Sequence, residues 1–131
     1  MPNIGIRKIN LYKLNLSCND RINYISHMTN LQKLTLCHRC SLPAKEVMRL
    51  KLIELNINNN KKIKNCVNNI TTLRILKAHN TGLDNKNIKK LNLNELYISE
   101  QENIKITNQL MNTKLFVNGQ NIFQPYFSLN N

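Results

Sequence analysis

The most reactive side chains in the first part of the chain are three cysteines and a histidine. The stretch CHRC, residues 37–40, encloses His38 between two cysteines, and Cys18 lies 20 residues before that histidine. Thiolates and imidazoles are the ligands that Zn²⁺ prefers in proteins. One candidate zinc site therefore has these four ligands: Cys18, Cys37, His38 and Cys40. The alternative is that these cysteines are small buried apolar groups and that the protein binds no metal.

The same residues do not form a pattern typical of catalysis. A nucleophilic thiol needs a base beside it and a third group that orients the base. Cys37 and His38 are sequence neighbours, so on a strand their side chains point to opposite sides. The seven carboxylates form no pair suited to acid–base chemistry, and no glycine-rich phosphate loop occurs. We expect a protein that is not an enzyme and that needs no cofactor.

The elements that must position these residues repeat along the chain. Residues 11–16 carry leucines at the first, fourth and sixth positions, and Asn19 follows. Segments of the same spacing begin at residues 31, 52, 73 and 93, and a degenerate sixth copy begins at residue 112. The repeat length is 19–21 residues. Regular self-similarity of this length is typical of solenoids, in which each repeat packs on its neighbours.

The pattern resembles that of the leucine-rich repeat family, whose repeats read L-x-x-L-x-L-x-x-N/C-x-L. The resemblance covers residues 11–122. It implies an α/β fold, a right-handed solenoid of about five to six coils. A short parallel β-sheet would form the concave face, and irregular, 3₁₀ or short helical segments the convex side. The whole chain, residues 1–131, would be one domain in which residues 1–10 and 123–131 cap the two ends. Phe123 and Phe127 would form a C-terminal plug.

A polar residue after each strand is expected to bond the backbone of the turn that leaves the strand. In order along the chain, the residues at this position in five of the copies are Asn19, Asn60, Thr81, Gln101 and Gln120. In the second copy strict counting places Arg39 there, which is a poor residue to bury. One extra residue would bring Cys40 to the position instead, and we predict that bulge.

The strand residues between the leucines are expected to face outward. Lys77, His79, Tyr97 and Phe116 become neighbours on adjacent strands in this register, and Asn56 and Asn58 lie on the preceding strand. Tyrosine is enriched among the residues that dominate protein interfaces. The family resemblance implies a non-catalytic module that binds a protein partner through the concave sheet and its edges. The alternative is that Tyr97 and Phe116 only cover the end of the sheet.

The net charge of +12, from 19 Lys and Arg against 7 Asp and Glu, suits an acidic partner. Abundant Lys, Asn and Ile together are also what AT-rich codons produce. Most of the lysines fall at turn and convex positions, so electrostatic binding of nucleic acid or of an anionic surface by convex lysines is the second candidate function. A third candidate is a structural protein that self-associates through its apolar ends. We expect the protein to be a monomer or an end-to-end homodimer.

The longest apolar runs are far shorter than the ~18 residues that a membrane span needs. The N-terminal residues lack the continuous apolar region of a signal peptide. We therefore expect no membrane span, an intracellular (cytoplasmic) location and cysteines that are free thiols.

Overall fold

One sheet of seven strands follows the order of the chain in a computed structural model, which describes residues 10–123. The strands are β1 Lys13–Asn15, β2 Lys33–Thr35, β3 Glu54–Asn56, β4 Ile75–Lys77, β5 Glu95–Ile98, β6 Lys114–Val117 and β7 Gln120–Phe123. Strands β1 to β6 are parallel, one from each repeat, and β7 pairs antiparallel with β6. The repeat-like parallel sheet is confirmed, whereas the right-handed course and the concave curvature stay predictions.

Equivalent residues of successive repeats lie side by side in the sheet. The central leucine of each strand pairs in register with that of the next strand, from Leu14 through to Leu115. Side chains alternate between the two faces of a strand. The leucines therefore stack in the interior, where those of β2 to β6 are buried. The residues on either side of them lie on the other face, which is half-buried or exposed.

The connections between the strands are short and contain little regular structure. They hold one helix, α1 Ala44–Met48, and three 3₁₀ helices, Val67–Asn69, Asn85–Ile88 and Asn108–Leu110. Pro43 occupies the N-cap of α1, with φ −66° and ψ 145°. The aliphatic residues at both ends of these connections are buried: Ile22, Leu42, Ile63, Leu83, Met28, Leu50, Ile70, Leu91 and Leu110. The expectation of short helices and 3₁₀ turns is confirmed.

A left-handed residue turns the chain away after each of the first four strands. These residues are Cys18, His38, Asn59 and Asn80, with φ between 55° and 64°. Asparagine suits this conformation because its short polar side chain bonds locally. The Asn80 Nδ2 donates a hydrogen bond to the Asn59 Oδ1 at 2.9 Å, which joins two successive turns. Two of the candidate zinc ligands, Cys18 and His38, are therefore turn residues.

The polar turn position is filled as predicted in the first four copies. Asn60 and Thr81 are buried there. Asn19 is half-buried, and its Oδ1 accepts hydrogen bonds from the backbone N–H groups of Arg21 and Ile22. In the second copy Cys40 packs against the core and Arg39 is exposed, so the predicted one-residue bulge is confirmed.

Two turn assignments are wrong. In the fifth copy Gln101 is exposed, and the buried residue is Glu102. The physical reason is the same one-residue insertion as in the second copy, which moves the inward position one residue further from the strand. Gln120 is not a turn residue, because it begins β7. Asn118 and Gly119 have φ values of 52° and 84° and reverse the chain into a hairpin, for which an Asn-Gly pair is well suited.

Both predicted caps extend beyond the described residues. Residues 1–9 of the N-terminal cap lie outside them, as do Tyr126 and Phe127 near the other end. Phe123 is the last residue of β7. Within residues 10–123, every helix is too short and too polar to cross a membrane.

Candidate functional site

The strand register brings the predicted partner-binding residues to one row of the sheet. Asn56, Lys77, Tyr97 and Phe116 are successive partners across β3 to β6, and all four are half-buried. A second row contains Glu54 and Glu95, two residues before the first. We call Glu54, Lys77, Glu95, Tyr97 and Phe116 together the sheet-face cluster.

Two aromatic rings lie at the centre of the sheet-face cluster. The rings of Tyr97 and Phe116 stack with their centroids 4.4 Å apart and their planes 7° from parallel. Because the two residues are direct partners in parallel strands, each ring restricts the rotamers of the other. The Lys77 Nζ lies 5.4 Å from the centroid of the Tyr97 ring, within the range of a cation–π interaction.

Two carboxylates fix the polar ends of these side chains. The Glu54 Oε2 lies 3.7 Å from the Lys77 Nζ, and the Tyr97 hydroxyl donates a hydrogen bond to the Glu95 Oε1 at 2.6 Å. The hydrogen bond to Glu95, together with burial and the negative charges of Glu95 and Glu54, raises the pKa of Tyr97 to about 12. The phenol therefore keeps its proton at neutral pH and remains a hydrogen-bond donor.

The other predicted residues, Asn56, Asn58 and His79, form hydrogen bonds within the protein. The Asn56 Oδ1 accepts hydrogen bonds from the Asn58 N–H at 3.1 Å and from the Cys37 thiol at 3.2 Å. The Asn58 Oδ1 accepts from the backbone N–H of His79 at 2.8 Å. These amides join neighbouring repeats at the end of the strands. The prediction omitted Glu54 and Glu95, although strand alternation alone places Glu95 on the same face as Tyr97.

Three of the candidate zinc ligands, Cys18, His38 and Cys40, line one open depression, but the four described residues do not form a metal-binding group. Cys37 is on the sheet face, where its thiol bonds Asn56, whereas Cys40 packs against the core. Cys18 is exposed, and all three cysteines are free thiols. Across residues 10–123, no three His, Cys, Asp or Glu side chains form a group that could hold a metal ion. Strand alternation and the bulge separate the two cysteines of the CHRC motif.

Comparison with known proteins found no family model, no curated protein and no solved structure that matches this chain. The sheet-face cluster combines two stacked rings, one cation and two carboxylates on a regular sheet. Such an arrangement suits the binding of another molecule, to which the surface offers apolar contact, hydrogen bonds and charge.

Proposed function

We propose that this chain is a leucine-rich repeat solenoid that binds a protein partner through the sheet-face cluster and performs no chemistry. The 19–21-residue repeat with one parallel strand in each copy supports the family assignment. Crossover connections between parallel strands are right-handed in nearly all proteins, which supports a right-handed coil. The observation that carries the functional proposal is the stack of Tyr97 on Phe116 with Lys77 above the Tyr97 ring.

Tyr97 is held in place before any partner binds, which lowers the entropic cost of binding. A flexible side chain loses conformational entropy when a partner immobilises it, at about 0.5–1.5 kcal/mol each. Tyr97 is held on one side by Phe116 and at its hydroxyl by Glu95, so less of that cost remains to be met on binding. Lys77, Glu54 and Glu95 add charges of both signs, which favour a partner with a matching mixed surface.

Most of the excess positive charge lies away from this face. Exposed lysines occur in the turns and connections, at Lys61, Lys62, Lys86, Lys89 and Lys90. Phosphate binding by such residues is strongly weakened by salt, whereas contacts through stacked rings are not. Binding that survives high salt and nuclease treatment therefore indicates a protein partner, whereas binding that is lost under these conditions indicates nucleic acid.

The test compares what immobilised protein retains from a cell extract treated with nuclease, at low and high salt. The variant Tyr97→Ala/Phe116→Ala removes both rings. Its matched control, Met48→Ala/Ile106→Ala, removes two exposed apolar side chains outside the strands. Thermal melting establishes that both variants are folded.

We expect the unchanged protein and the control to retain the same proteins at high salt, and the ring variant to lose them. Retention of the same proteins by the ring variant would contradict the proposal. Retention of nucleic acid alone, with release as the salt concentration rises, would instead favour the electrostatic alternative.

A further inference from the structure

An open depression of about 650 Å³ lies beside the turns that follow β2 and β3. Its basic lining residues are His38, Arg39, Lys61 and Lys62. We call these four residues the basic turn edge. A second depression of about 360 Å³ adjoins it, since His38, Arg39 and Cys40 line both, and Asp20 lines the second one.

The local backbone explains why the cations meet there. The bulge in the second repeat packs the half-buried Cys40 against the core and leaves Arg39 exposed. The next repeat has no such insertion, so Lys61 follows directly after the buried Asn60. Successive parallel strands are about 4.8 Å apart. Side chains that leave two successive turns on the same edge therefore converge.

The larger depression carries an excess of positive charge. None of the described residues that line it is an Asp or a Glu, and Asp20 lines the adjoining depression. Among the described residues, the one salt bridge is that between Lys77 and Glu54. Arg39, Lys61 and Lys62 therefore have no carboxylate of these residues within salt-bridge distance. The Lys62 Nζ donates a hydrogen bond to the Cys40 carbonyl at 3.4 Å, which holds it beside the depression.

We propose that the basic turn edge binds a phosphate monoester. The guanidinium of Arg39 offers a planar fork of donors that matches two phosphate oxygens, and Lys61 and Lys62 add two point charges. No Phe, Tyr or Trp is among the described lining residues, so the site offers a base no large ring to stack on and recognises the phosphate group. The CHRC motif then has a role that does not involve a metal, because the motif forms the bulge that exposes Arg39.

Two sources could supply such a group: a free phosphate ester or a phosphorylated side chain of a protein. Both present a compact dianion with the same oxygens. The basic turn edge is separate from the sheet-face cluster, so each site can be tested by variants that leave the other unchanged.

The first experiment is a titration of the isotope-labelled protein with inorganic phosphate, followed by backbone amide NMR shifts. We expect saturable shifts confined to residues 38–41 and 59–62.

In Arg39→Gln/Lys62→Gln the Kd should rise about tenfold, because two charge-assisted contacts are lost. The control Lys89→Gln/Lys90→Gln removes two exposed charges that line none of the described depressions, and it should leave the Kd within about twofold. Arg39→Lys keeps the charge but loses the fork, so its Kd should lie between these values.

The second experiment distinguishes the sources by replacing phosphate with O-phosphoserine, and then with a peptide that contains one phosphoserine. Tighter binding of the phosphopeptide than of O-phosphoserine, and none of its unphosphorylated form, assigns the site to a protein. Equal binding of phosphopeptide and O-phosphoserine assigns it to a free ester.

Three results would overturn the proposal. One is the absence of amide shifts at the basic turn edge at millimolar phosphate. Another is an equal loss of binding in the two double variants, which would mean that only the net charge matters. The third is an oligonucleotide that binds more tightly than any monoester and that both double variants weaken equally.

Discussion

The Glu102 carboxylate of the fifth repeat accepts a hydrogen bond from the Thr81 N–H of the fourth repeat at 2.7 Å. The same oxygen accepts from the Gly82 N–H at 3.1 Å, and the other oxygen accepts from the Ser99 N–H at 2.8 Å and from the Ser99 hydroxyl. Glu46 of α1 acts in a similar way on the first repeat, where its Oε1 accepts from the Ile25 N–H at 2.8 Å. Buried carboxylates therefore join successive repeats at two places.

Glu102→Gln should destabilise the fold by about 1–3 kcal/mol, since an amide NH₂ cannot accept the hydrogen bonds that the second oxygen accepts. Burial alone would raise the pKa of Glu102. The hydrogen bonds from Ser99, Thr81 and Gly82 outweigh burial and hold that pKa below its ordinary value near 4.5. A depressed pKa means that the ionised form adds stability above the unfolded-state pKa, and that this stability is lost as the pH falls through the folded-state pKa.

Urea denaturation of the unchanged protein and the variant across the acid range tests this prediction. The stability difference between the two should shrink as the pH falls from about 4.5 through the lower folded-state pKa, because the unfolded chain takes up the Glu102 proton first. Below the folded-state pKa, Glu102 is protonated in both states and its charge adds no stability. Glu100→Gln is the control, because Glu100 is exposed in the same turn and its substitution removes the same charge. Equal effects of the two substitutions would show that Glu102 does not cap the turn.

Asn60→Leu should cost roughly 1–3 kcal/mol of unfolding free energy. Asn60 is only 4 % exposed; its Nδ2 donates to the Leu36 carbonyl at 2.8 Å, and its Oδ1 accepts from the Lys62 N–H at 3.1 Å. Leucine would leave both backbone groups without these partners. Thermal and urea melting measure the loss, and Asn112→Leu at an exposed position is the control. Unchanged melting of the Asn60 variant would mean that the turn register is wrong.

Glu95→Gln should lower the pKa of Tyr97 from about 12 toward its ordinary value of 10. The hydrogen bond from the phenol to a charged carboxylate favours the protonated phenol, and a neutral amide favours it less. The titration of Tyr97 is obtained from the ultraviolet difference between each protein and its Tyr97→Phe counterpart at alkaline pH. Gln32→Glu, which adds a carboxylate at an exposed position just before β2, should leave this pKa close to 12. A Tyr97 pKa that Glu95→Gln does not change would rule out the hydrogen bond to Glu95.

Gly119→Ala should weaken the β6–β7 hairpin by about 1–2 kcal/mol, because alanine disfavours a left-handed backbone. Among the described residues other than the two adjacent ones, no atom lies within 4 Å of the added methyl group, so the cost comes from the φ of 84° and not from a clash. Amide hydrogen exchange should become faster in β7 and at the facing residues of β6, and remain unchanged in β2 to β4. Asn118→Gly, at the other left-handed position of the turn, is the control and should retain slow exchange. Uniform exchange in the Gly119 variant would contradict the hairpin.

The repeat, the inward leucines and the outward strand residues were all predictable, because they depend on local spacing. A strand alternates its side chains every second residue, so Tyr97 and Phe116 had to lie opposite the buried Leu96 and Leu115. Regular spacing between copies then placed equivalent strands side by side. The bulge at Cys40 was predictable for a related reason, since burying an arginine costs far more than burying a cysteine.

Only the tertiary structure decided which residue fills the fifth turn and where the repeats end. A one-residue insertion moves the inward position from Gln101 to Glu102, and both are polar, so composition does not distinguish them. The contacts of Lys77 with Glu54 and Tyr97, and the convergence of Arg39 with Lys61 and Lys62, join residues from different repeats. Local spacing specifies the face of a side chain, whereas its contacts depend on the register between strands and on the rotamers that packing selects.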